Sequence, residues 1–211
     1  MLLPPADLFG AFLLASFMMG ITPGPDMTYV IASAARKGMT GALIALTGIS
    51  LGCMVHLALA TAGVTALLAA APKAFTILKY IGAAYLLYIA YQMLTNHSKQ
   101  TADTTSRPHS TYFSIARRGL FINLLNPKLG LFFVTFLPQF IDPLASSVAL
   151  QTLLLGLIFV GIGLSFMLVA AYFTVQSSST VANMPRVQRL LRFFTASLLG
   201  GFAVRLAVSE L

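Results

Sequence analysis

Charge is the scarcest feature of this chain. Asp, Glu, Lys and Arg together make up 9% of its 211 residues, where soluble domains carry roughly 25%. Acidic residues number only 5 against 13 basic ones. Cysteine is nearly absent: Cys53 stands alone, which excludes an internal disulfide and a CxxC redox pair. It lies inside an apolar run and reads as packing. Tryptophan is missing altogether, so anchoring at a membrane interface falls to Tyr, Lys and Arg. The first seven residues contain no Lys or Arg. They lack the positive region of a cleavable signal peptide, and the first apolar run is expected to stay as a helix.

What fills the chain instead is hydrophobic sequence, 58% of residues, with a mean hydropathy of +0.88. Several runs are long enough to cross a bilayer of ~30 Å. The class that follows is an all-α integral membrane protein. The net charge of +8 would raise the question of nucleic acid in a soluble protein. Here the basic residues sit at the ends of apolar runs, where they set topology, and no folded basic surface is left for RNA or DNA.

Six spans are expected, at about 8–35, 41–71, 75–94, 118–137, 148–175 and 193–208. The loops after spans one, three and five carry Arg36, Lys37, Lys99, Arg107, Arg117, Arg118, Arg186, Arg189 and Arg192; the other two carry only Lys73, with Lys79 nearby. The positive-inside rule places the odd loops in the cytoplasm and both termini in the periplasm. Repeat one covers about 7–95, the polar segment about 96–116 joins the halves, and repeat two covers about 117–211. Each half has three spans, and an odd number forces the second half to enter inverted. In span three, Tyr85, Tyr88 and Tyr91 form a row of helical spacing, read as interfacial packing with a pore lining as the alternative. Gly48 and Gly52 have the GxxxG spacing that lets helices approach closely. The pattern arises easily by chance in apolar sequence. The glycine-rich spans allow packing within one chain or between two, as a homodimer. His97 and His109 in the central segment have no ligand neighbours and read as solvated.

Two interruptions organise the rest. Span one breaks at Pro23-Gly24-Pro25 and span four at Asn126-Pro127, because proline removes a backbone donor and disfavours helix at its predecessor. A charge follows each break directly: Asp26 after Pro25, Lys128 after Pro127. Asp26 is ten residues before Arg36, and Lys128 ten after Arg118. At ~1.5 Å per residue both lie about 15 Å from the cytoplasmic ends, near the midplane. A charge there costs at least ~3 kcal/mol, and unwound backbone at that depth needs protein or a water-filled cavity around it.

The chemistry fits a zwitterion. Asp26 would pair with an ammonium group and carry an exchanged proton; Lys128, with Asn123 and Asn126, would hold a carboxylate. The other reading is a fixed Asp26–Lys128 ion pair that locks the halves or closes a gate. His56, the third midspan ionisable group, is a candidate proton relay or a neutral histidine bonded to a neighbouring helix. Thr47, Ser50 and Ser165 are expected to bond to their own helix backbones. Cavity size is expected to depend on which of Phe17, Met18, Tyr29, Phe132 and Phe136 face inward.

The same residues carry a family resemblance. Thr22-Pro23-Gly24-Pro25-Asp26, Arg36 to Gly38 before a glycine-rich span, Gly82-Ala83-Ala84-Tyr85-Leu86, Phe121-Ile122-Asn123-Leu124-Leu125-Asn126-Pro127-Lys128 and Pro138-Gln139-Phe140 look, in that order, like the LysE/RhtB family of amino-acid exporters. The resemblance implies a bacterial inner-membrane protein of about six helices. It also implies export of amino acids or their derivatives, of the homoserine, threonine, leucine or cysteine type, driven by protons. No cofactor, metal or enzymatic activity is expected. A metal-ion or other small-solute exporter is the second reading, and one midspan His, one Cys and one Asp are few ligands for a metal.

Overall fold

The computed structural model describes residues 3–70, 111–142 and 145–176, with isolated positions 84, 87, 91, 197 and 201. Apart from those isolated positions, spans three and six lie outside these residues, as do the polar segment up to residue 110 with His97 and His109, the second polar loop, and Tyr85 and Tyr88. Among the described residues every regular element is helical: α1 Ala6–Ile21, α2 Pro25–Ala70, α3 Tyr112–Leu124, α4 Pro127–Leu131 and α5 Val148–Gln176. A π turn over Phe132–Phe136 and a 3-10 turn over Leu137–Phe140 continue α4. All of α5, and in α2 the stretch Pro25–Gly63 if it is taken as one helix, are long and apolar enough to cross a membrane. The pair Tyr112–Leu124 and Lys128–Phe140 adds a third if it is taken as one broken span, bent by 56°.

The first expected break falls where the prolines put it. α1 stops at Ile21, and α2 starts at Pro25. The second falls between Leu124 and Pro127, with the Asn126 side chain accepting from the Lys128 backbone N–H at 3.1 Å as the cap of α4.

α2 is two helices rather than one. Lys37 leaves helical geometry and Gly38 takes φ +64°, a conformation that favours glycine. The chain reverses there. Asn123 touches Asp26 on one arm and Cys53 on the other, positions that a straight helix would hold about 40 Å apart.

α3 starts at Tyr112, ahead of the 117–118 expected for the fourth span. Thr111 caps it through its hydroxyl, which accepts from the Ser114 N–H at 3.3 Å. Arg117 and Arg118 are therefore helical. Arg118 lies over the Tyr29 ring at 5.8 Å, and Lys37 over the Tyr112 ring at 5.0 Å. The basic residues thus tie the first arm of α2 to the start of α3.

The GxxxG pair is the seam between those helices. A Cβ at Gly48 would fall 2.0 Å from the Ala116 carbonyl oxygen, and one at Gly52 would fall 2.5 Å from the Asn123 side chain. Gly119 repeats the arrangement from the α3 side, against the Ala45 carbonyl. Thr47, Ser50 and Ser165 each donate to a carbonyl of their own helix. A phenylalanine cluster closes the other side: Phe132 stacks on Phe159 at 3.7 Å, and Phe136, Phe140 and Phe12 extend the chain of rings to α1.

Candidate functional site

Each proline removes a donor from its break, and a side chain from elsewhere reaches a carbonyl there. In an unbroken helix the Met19 carbonyl would accept from residue 23, but Pro23 has no N–H. Lys128 Nζ donates to it instead, at 3.0 Å, and to the Thr22 carbonyl at 3.2 Å. The Asn123 carbonyl, whose helical donor would be residue 127, again a proline, accepts from the Asn126 N–H at 3.0 Å instead. His56 Nε2 lies 3.2 Å from it; because a carbonyl only accepts, this nitrogen carries the hydrogen. The same ring stacks on Phe133 with 9° between the planes.

The acid is held from the opposite break. Asp26 is buried, and its Oδ2 accepts from Asn123 Nδ2 at 3.1 Å and Asn126 Nδ2 at 3.0 Å. Its Oδ1 is buried and has no hydrogen-bond partner among the described residues. Asn126 therefore serves twice, capping α4 with its oxygen and holding Asp26 with its nitrogen. Asn123 Nδ2 also reaches Cys53 Sγ at 3.3 Å, so the lone cysteine touches the polar cluster.

Asp26 and Lys128 share one cavity, and among the described residues they form no ion pair with each other. The asparagine amides, expected beside Lys128, turn to Asp26. The cavity measures about 40 Å³, space for a few water molecules. Thr22, Asp26, Cys53, Asn126 and Lys128 contribute its polar side, and Phe159, Val160, Gly163, Leu164 and Met167 of α5 line the apolar side.

None of the five residues expected to set cavity size lines it. Phe17 is half exposed and packs edge-on against Phe166 at 4.9 Å. The Tyr29 hydroxyl donates to the Ile115 carbonyl at 2.9 Å, and Phe132 and Phe136 belong to the ring cluster. Met19, Met27, Ile49 and Leu129 add to the apolar lining, but its largest share comes from α5, whose sequence carries no break, charge or alternation to mark a cavity-facing side. His56 stands behind the second break and outside the lining. Pro23 and Pro127 act through the donors they lack, while Gly24 brings the backbone near Lys128, its Cβ position 4.0 Å from Nζ.

Comparison with known proteins fits this geometry. The family model described as LysE type translocator matches residues 17–210. This chain belongs to that family. A leucine efflux protein of Salmonella typhimurium is 30% identical over 209 residues, covering 96% of this chain and 95% of that protein. A leucine efflux protein of Enterobacter sp. (strain 638) is 34% identical over 206 residues, covering 94% of each. No solved structure matches the chain. The apolar helices of this translocator, with large hydrophobic side chains such as Leu51, Leu59, Val169 and Phe173 exposed on their outer faces, are those of a membrane-embedded protein.

Proposed function

We propose that this translocator exports a neutral amino acid with an aliphatic side chain, leucine or one of similar size, across the bacterial inner membrane in exchange for protons. The observation that carries the reading is the buried Asp26 Oδ1, which has no partner among the described residues and borders a cavity shared with Lys128. An unsatisfied buried carboxylate oxygen is costly, and an ammonium group or a proton would satisfy it. Lys128 is held by two carbonyls, and a carboxylate is a stronger partner for an ammonium than a neutral oxygen is. A bound zwitterion would draw Lys128 off the end of α1 and occupy Asp26 in the same step.

The apolar α5 wall supports a hydrophobic side chain, and the names of the relatives agree with one. A bound amino acid would need the walls to part, since the present space holds only water. The reading places the site near the midplane between two inverted three-helix repeats, with both termini periplasmic. Asp26 carries the proton on the return step.

Counterflow of labelled neutral amino acids in proteoliposomes tests this, with and without a pH gradient. Saturable leucine exchange, stimulated by the gradient and lost in Asp26→Asn, is expected. Saturable exchange of divalent metal ions with no exchange of any amino acid, in folded protein, would overturn it.

A further inference from the structure

Three glycines near the cavity face neighbours in different ways, and the difference points to a selectivity position. A Cβ at Gly20 would meet the Phe166 ring at 2.9 Å, and one at Gly156 would meet Leu57 at 2.2 Å. Those two are glycines because helices touch there. Gly163 lines the cavity, and among the described residues nothing lies within 4 Å of the Cβ it lacks. Close helix contact gives no reason for a glycine at this point of α5.

Helical spacing shows where that open space lies. Gly156, Val160, Gly163 and Met167 follow one another at intervals of four, three and four residues, which is one face of a helix. Gly156 and Val160 on that face are buried in the bundle, and Val160, Gly163 and Met167 line the cavity. Gly161, two residues earlier, also has nothing within 4 Å, but it is exposed and outside the lining. The same emptiness faces outward at Gly161 and toward the cavity at Gly163.

From this we infer that Gly163 is a specificity-determining residue, keeping open the part of the α5 wall that receives the substrate's aliphatic side chain. The inference rests on the proposed function and deepens it. The polar groups at the breaks hold the ammonium and carboxylate common to all neutral amino acids, and the missing side chain at 163 decides how large the remainder is. A methyl or isopropyl group there would occupy space that leucine needs and alanine does not.

The test is counterflow of labelled leucine and of labelled alanine in proteoliposomes of the full chain, comparing wild type, Gly163→Ala, Gly163→Val and Gly161→Val. The leucine-to-alanine ratio is expected to fall on the order of ten-fold in Gly163→Val and by less in Gly163→Ala, with alanine exchange retained. It should not move in Gly161→Val. An unchanged ratio in both Gly163 variants, with wild-type exchange intact, overturns the inference and leaves the proposed function standing. Equal loss of both substrates in Gly163→Val, with no ratio change in Gly163→Ala, overturns it too, since the position would then act on folding alone. A wild-type protein that exchanges neither substrate removes both readings together.

Discussion

The two breaks look alike in sequence and are built differently in space. The first, ending at Asp26, supplies an acid and the Met19 and Thr22 carbonyls of a helix end. The second, ending at Lys128, supplies an amine and two amide side chains. Their partners cross over: amides of the second break hold the acid of the first, and carbonyls of the first hold the amine of the second. Neither charge neutralises the other directly. Neutral hydrogen-bonding groups are weaker partners than an opposite charge, so a ligand bearing both charges can displace them, whereas a closed ion pair would resist it. A third element of the pattern is His56, which adds a second donor to the Asn123 carbonyl beside the Asn126 N–H.

The comparison breaks most severely if one of its charges is removed. Asp26→Asn and Lys128→Met are each expected to lower amino-acid exchange on the order of 30- to 100-fold, the equivalent of losing a charged hydrogen bond of about 2–3 kcal/mol. Proteoliposome counterflow reads this, with size-exclusion profiles confirming fold. Exchange that survives both changes would reduce the crossover to a structural lock.

Asn126→Ala should cost about ten-fold, more than Asn123→Ala, because only Asn126 both caps α4 and holds Asp26. Equal effects in the same assay would mean that the cap contributes nothing. Gly48→Ala pushes a methyl into the Ala116 carbonyl and should cost about 1–3 kcal/mol, visible as a lower melting temperature in detergent. An unchanged melting temperature would show that the α2–α3 seam yields easily. The smallest effect is expected for His56→Gln, whose amide can still donate to the Asn123 carbonyl: leucine exchange within about three-fold of wild type, and His56→Leu lower by a further ~1 kcal/mol equivalent. If His56→Gln abolished only the response to the pH gradient, the histidine would be a relay and not a prop.

Both break positions were legible because proline acts on its own chain. Pro23 and Pro127 lack a donor whatever surrounds them, so the helices had to end there and the carbonyls four residues earlier had to find partners. The turn at Gly38 and the alignment of Thr47, Ser50 and Ser165 with their own backbones were readable for the same local reason. The helical turn and a half of α3 ahead of Arg118 is not legible in the sequence, because two adjacent arginines mark a loop and a helix end equally well. On a helix end facing Tyr29, Arg118 serves as a clamp instead. The Gly48 and Gly52 spacing carried more than chance, a fact visible only once Ala116 and Asn123 were seen against it.

Composition and proline chemistry alone determine that this chain belongs in a bilayer and that two charges flank two broken helices, because both are properties of single residues and their immediate backbone. Tertiary structure decides which groups those charges hold, that the asparagines serve Asp26, and that α5 lines the cavity. Asp26 and Asn126 are 100 residues apart, and what brings them together is close helix packing at particular small residues, a matter of shape between distant segments that no local pattern records.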